Sequence, residues 1–324
     1  MLIDCHNHIG ADMLFYLHGD FPYAQQLVDM TGVGGALGIT HWIVFPFVSY
    51  AAMDVSKFRS GVVGFGGDCL EKVPYAFENR RLMEECHRLF PEEGRKTLPF
   101  VMVDPMRNTD AQAAELIKLR TEHRFHGIKI QSTIIQADIK RLAHEGRVFL
   151  DLAREWDVPF LIHSSVLESD VWAQAHDILD IAEANPDIRF CAAHSCRFDK
   201  ECLDRVNALP NAWFDNSAHI IHCQCVMEDR PNVAPPARRF DTDYTNPARV
   251  IADLAAAYPH KFMWGSDSPF YSYAAEIDSE VVRLVSTYAN EVAALTASPP
   301  EVVERIASIN TRRFLKLSDE SLLS

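Results

Sequence analysis

Eight short apolar runs, separated by longer helix-periodic segments, constrain this fold more than any other feature of the sequence. The runs fall at residues 2–6, 42–47, 98–103, 127–131, 159–163, 189–194, 212–216 and 262–267. Most are continuously apolar rather than alternating, as strands covered on both faces must be. Pro99 and Pro159 sit at strand starts, where a missing N–H is tolerated. Between the runs, residues 76–90, 110–123, 139–156, 170–185, 200–209, 246–258, 277–295 and 299–315 read as helices. Strand–helix alternation repeated eight times predicts an α/β fold, a (β/α)8 TIM barrel, with an open doubly wound sheet as the alternative. Such barrels run long, so residues 1–324 are expected to form a single domain. The connections 48–75 and 217–244, after strands 2 and 7, are long enough to shape a pocket.

Composition narrows the partners. The chain holds 31 Lys+Arg against 45 Asp+Glu, a net charge of −14. No basic stripe is available to neutralise phosphates, which argues against nucleic acid and anionic membrane surfaces. No secretory leader is visible, and no apolar run approaches the ~18 residues of a membrane helix. The 8 cysteines lack a framework spacing and read as reduced, buried thiols, so the expected location is cytoplasmic. A small-molecule substrate is the expected partner; assembly as a homo-oligomer stays open.

The strand ends carry the chemistry. With a period of two, Asp4, His6 and His8 are expected on one face of the first strand. Lys129 ends the fourth, His163 the fifth, His194 the sixth and Asp267 the eighth. In a barrel these ends converge, and imidazoles with a carboxylate suit zinc or manganese. Asn216 and Ser217 follow the seventh strand and can hydrogen-bond a substrate or the second nitrogen of a ligating imidazole. Asp4 is expected to be structural. The Gly-rich pieces at residues 32–35 and 64–67 lack the context of a phosphate loop and are expected to be turns. His219, His222, Cys223 and Cys225 read as loop residues near the pocket, and Arg239 as a basic group that could meet a substrate carboxylate.

In order and spacing, Ile3-Asp-Cys-His-Asn-His8, Gly127-Ile-Lys129, Leu161-Ile-His163, Ala193-His194, Asn211-Ala-Trp-Phe-Asp-Asn-Ser217, Trp264-Gly-Ser-Asp267 and Asn310-Thr-Arg-Arg-Phe-Leu315 span nearly the whole chain. Together they resemble the amidohydrolase-related branch of the amidohydrolase superfamily of metal-dependent hydrolases. The resemblance implies His6, His8, His163 and Asp267 as metal ligands, with Asp267 also the proton acceptor. It implies that His194 binds the substrate oxygen or a second metal. Lys129 matches the position carboxylated in two-metal members, although one metal is expected here. The implied reaction is hydrolysis of a small amide, lactone or ester. The alternatives are non-oxidative decarboxylation of an aromatic or unsaturated acid, and a non-catalytic barrel that only binds.

Overall fold

A computed structural model describes residues 1–58, 62–277 and 279–318. Residues 59–61, within the first long connection, lie outside the described residues. The eight strands of the barrel are β1 (Ile3–Ala11), β2 (His41–Pro46), β3 (Thr97–Met102), β4 (Gly127–Ile130), β5 (Phe160–Ile162), β6 (Phe190–Ala192), β7 (Ala212–Asp215) and β8 (Phe262–Met263). They pair in parallel and in sequence order, and a two-residue strand, Ala24–Gln25, adds antiparallel to the end of β1. The chain after β8 returns to β1. Cys5 N donates to Trp264 O at 3.2 Å, Asp267 N to His6 O at 3.0 Å and His8 N to Ser268 O at 2.8 Å.

Both strand faces are apolar because both are buried. Ile43 and Phe45 of β2, Phe100 and Met102 of β3, and Leu161 of β5 fill the interior. Trp42, Val44, Val101, Phe160 and Ile162 alternate with them and pack outward beneath the helices. This parity aims Lys129, His163, Asp215 and Asp267 inward, since each stands an even number of residues from an inward neighbour or continues its alternation.

β1 breaks the parity, and this corrects one expectation. Asp4 pairs with Trp42 and Asn7 with Val44, so β1 has one residue more than β2 between those points. The bulge lets Ile3 and Cys5 point inward, as in a regular strand, while His6 and His8 point inward as well. Asp4 therefore does not share the face of His6 and His8. It accepts from Ser266 N at 2.9 Å, Ser266 Oγ at 2.6 Å and Tyr288 OH at 2.7 Å, a structural role.

Three further expectations change. Residues 32–35 are not a turn: Gly32 to Gly35 lie within the helix Leu27–Ala36. Gly34 packs so close to Tyr288 that a Cβ there would stand 2.6 Å from the ring. Residues 277–295 are not one helix. Glu280–Leu284 pairs with Tyr273–Ile277 as a β-hairpin, and the helix is Tyr288–Thr296. In Glu280-Val-Val-Arg-Leu284, Val282 and Leu284 are buried and Arg283 exposed, the alternation of a one-sided strand. His219–Met227 is a helix inside the second long connection, not loop. The 64–67 segment is a turn as expected, with Gly66 and Gly67 at φ of 74° and 63°.

Candidate metal centre

The bulged β1 delivers His6 and His8, both buried, to the C-terminal end of the barrel. His6 Nδ1 lies 3.0 Å from Asp215 Oδ2. Burial alone would raise the Asp215 carboxyl, but His6 and its hydrogen-bond donors hold it below the usual range. An ionised carboxylate only accepts, so His6 carries its proton on Nδ1 and turns the Nε2 lone pair to the barrel axis. There Nε2 meets Asp267 Oδ1 at 3.2 Å and Lys129 Nζ at 3.0 Å. His8 Nε2 stands 3.5 Å from the same Asp267 oxygen. Burial holds the His8 imidazole down at about 4, so it is neutral at neutral pH.

Asp267 reaches this position from a left-handed backbone, φ 63°, fixed by its N–H to His6 O. Burial disfavours its charge, yet His6, His8 and Lys129 hold the carboxyl well below the ordinary range. Asp267 Oδ1 is buried and has no hydrogen-bond partner among the described residues. Among the described residues His6, His194 and Asp267 offer ligand atoms within 4.8 Å of one another.

A directed chain of hydrogen bonds runs from this cluster. His194 Nδ1 faces Ser217 O at 3.1 Å, a carbonyl that only accepts, so the proton is on Nδ1. His194 Nε2 then accepts from His163 Nδ1 at 2.9 Å, and His163 Nε2 accepts from Arg197 Nη2 at 3.2 Å. His163, placed by sequence among the metal ligands, thus stands one imidazole away and is reached through His194. His194 Nδ1 is 3.7 Å from Asp267 Oδ2.

The remaining expected residues separate. Lys129 is fully buried beneath His6, over the Phe45 ring at 4.6 Å, and burial pushes its amine down to about 8. Asn216 turns outward and its Oδ1 accepts from Gly265 N at 3.3 Å; the inward residue of that motif is Asp215. Arg239 is not at the centre: Nε donates to Ala234 O at 2.7 Å and Nη2 lies 3.8 Å from Asp229. His219 Nε2 faces Pro247 O at 2.9 Å, and His222 bonds Arg197. A second cluster, His176, Asp199 and Cys202, has a structural explanation, since Asp199 caps the helix Lys200–Ala208 and pairs with Arg238 at 3.0 Å.

The metal-facing groups open into a cavity of about 510 Å3. Phe15, Phe47, Phe270, Ile221 and Leu284 form apolar wall, with Arg197, His222 and Gln131 as polar points. The hairpin and the helix that sequence missed supply Leu284, Ile221 and His222.

The family model described as Amidohydrolase matches residues 3–317. This chain belongs to that amidohydrolase family. No curated protein matches it in sequence. Among solved structures, a probable 2-pyrone-4,6-dicarboxylic acid hydrolase from Acinetobacter baumannii, with citric acid bound, is 13% identical. It superposes with a TM-score of 0.59 over 98% of this chain and 99% of that one. An amidohydrolase from Burkholderia multivorans with bound zinc gives 14%, 0.59, 98% and 100%. The IDCase of Metarhizium anisopliae in apo form gives 11%, 0.54, 98% and 97%. At these identities the likeness is one of fold. The amidohydrolase's own donor set fits a divalent cation: two imidazole nitrogens converge on a buried carboxylate oxygen with no other partner among the described residues. No helix among the described residues is long and apolar enough to cross a membrane.

Proposed function

We propose that this amidohydrolase is a metal-dependent hydrolase of a small carbonyl-containing substrate, an amide, lactone or ester. The observation that carries the reading is Asp267 Oδ1, buried, without a hydrogen-bond partner among the described residues, and 3.2 and 3.5 Å from His6 Nε2 and His8 Nε2. Leaving such a carboxylate unsatisfied is costly unless a cation completes the site. His6, His8 and Asp267 form the core of the ligand set, and His163 joins it by giving up its bonds to His194 and Arg197. One zinc or manganese ion is the proposed occupant. When bound, such an ion polarises a carbonyl and acidifies water.

The chain's own groups then have distinct tasks. Asp215 holds His6 in the tautomer that presents Nε2. Asp267 Oδ2 accepts a proton, and His194 beside it, once Nε2 is released by His163 and protonated, stabilises charge developing on the substrate oxygen. Lys129, under His6, supplies positive field from below. The aromatic walls exclude water from the reacting bond.

Single-turnover reaction in 18O-labelled water tests the assignment. Hydrolysis places one labelled oxygen in the product carboxyl group. Release of CO2 with no label in the organic product would make the enzyme a decarboxylase instead.

A further inference from the structure

Arg197 carries a partly buried positive charge that no anion among the described residues pairs with. Its Nε donates to Ser164 O at 2.9 Å, Nη2 to His163 Nε2 at 3.2 Å and Nη1 to His222 Nε2. These partners are one carbonyl and two imidazoles, and none is negative. Arg107, partly buried, pairs with Asp104 at 2.6 Å and Arg189, buried, with Asp157 at 2.9 Å, whereas the partly buried Arg120 is met by Phe125 O and by the Phe125 and Trp156 rings. Arg230, on the wall of the same cavity, pairs with Glu228 at 2.5 Å. Each terminal nitrogen of Arg197 has two N–H groups and uses one on an imidazole. One N–H on each terminal nitrogen is left over, enough donors for the two oxygens of a carboxylate.

The backbone works to place this group. His194, Ser195, Cys196, Arg197 and Phe198 are five successive left-handed residues. None is glycine, so the turn holds a conformation that residues with a Cβ disfavour. The second long connection braces the turn, with Ala234 N donating to Arg197 O and Phe240 N to Phe198 O, both at 2.9 Å. The turn carries the guanidinium into the wall of the cavity that Phe15, Phe47 and Phe270 also line.

We propose that Arg197 anchors a carboxylate of the substrate, and that the enzyme acts on amphipathic organic acids whose apolar body occupies the aromatic part of the cavity. This deepens the hydrolase reading and rests on it for the identity of the reacting group, though not for the anchor itself. His163 and His194 intervene between Arg197 and Asp267 in the hydrogen-bonded chain. The anchored carboxylate is therefore a different part of the substrate from the bond that reacts.

Calorimetric binding of 3-phenylpropanoate and its neutral counterpart 3-phenylpropanamide tests the anchor. The titrations use metal-loaded and metal-depleted protein, with wild type, Arg197→Met, Arg197→Lys and Arg230→Met. In both metal states the wild type should favour the carboxylate by about ten- to a hundredfold, the range of a charge-assisted pair. Arg197→Met should bring the two ligands within about threefold, Arg197→Lys should keep a reduced preference, and Arg230→Met should keep it in full. Should neither Arg197 variant fold, the wild-type preference in metal-depleted protein decides. Equal binding of acid and amide, a preference confined to metal-loaded protein, or one that survives Arg197→Met overturns the proposal. Because the anchor is read without metal, failure of the hydrolase assignment would leave this result untouched, and the reverse also holds.

Discussion

At the scale of single residues, the centre depends on groups that fix imidazole tautomers. Asp215 is the clearest: it is fully buried and accepts from His6 Nδ1 at 3.0 Å, His194 N at 3.1 Å and Ser217 N at 3.0 Å. Asp215→Asn presents an amide where His6 needs a charged acceptor. Metal affinity should fall by roughly 10–100-fold, measured by competition with a chelator, while the fold persists by circular dichroism. Asn216→Ala, one residue away on the outer face, should leave affinity within about twofold by the same geometry. Unchanged affinity in Asp215→Asn would remove the tautomer argument. Sequence favoured Asn216 over Asp215 because a carboxylate followed by two polar residues gives no local sign of which one points inward. The parity of Trp213 and Phe214 contains that sign, but only once the barrel interior is known. Arg197 offered less still: three residues past a strand end, it reaches the cavity only through a left-handed turn that its residue types do not favour.

At the scale of elements, sequence periodicity worked wherever both faces of a strand are buried, and failed where structure departs from a repeat. The bulge in β1 is invisible in Asp4-Cys-His-Asn-His8, since strict alternation also gives a sensible pattern with Asp4 beside the histidines. The strand Glu280–Leu284 and the helix Tyr288–Thr296 overlap the one helix expected over 277–295, because the whole stretch is rich in Val, Leu and Ala. The helix Tyr288–Thr296 also carries a buried acid. Glu291 is fully buried, Ser286 Oγ and Ile220 N donate to one oxygen at 3.0 and 3.3 Å, and the other oxygen has no hydrogen-bond partner among the described residues. Burial pushes the carboxyl up from 4.5 to about 8. Between those values the folded protein holds a proton that the unfolded chain has released. Stability should therefore fall as pH rises from 4.5 to about 8, by a few kcal/mol at most, and change no further beyond. Glu291→Gln should flatten this slope and be the more stable protein above pH 8, as read from denaturant midpoints at pH 5 and 8.5. Parallel pH profiles for the two proteins would contradict the assignment.

At the scale of the whole molecule, the barrel was legible because eight apolar runs and their intervening helices leave few other ways to bury both strand faces. Convergence of His6, His8, His194 and Asp267 then follows from closure of the sheet. What sequence could not supply is the cavity, whose walls come from the short helix Met13–His18, a hairpin and the helix His219–Met227, all inserted where no repeat applies. The central claim is that closure of the barrel builds one divalent-metal site from His6, His8 and Asp267. Elemental analysis of purified wild type, Asp267→Asn and the double variant His6→Ala/His8→Ala, each exposed to zinc or manganese and then desalted, tests it most directly. The account predicts about one retained ion per wild-type chain, with the ion lost from both variants while circular dichroism shows the barrel intact. Retention of metal at the wild-type level in the folded double variant would contradict it.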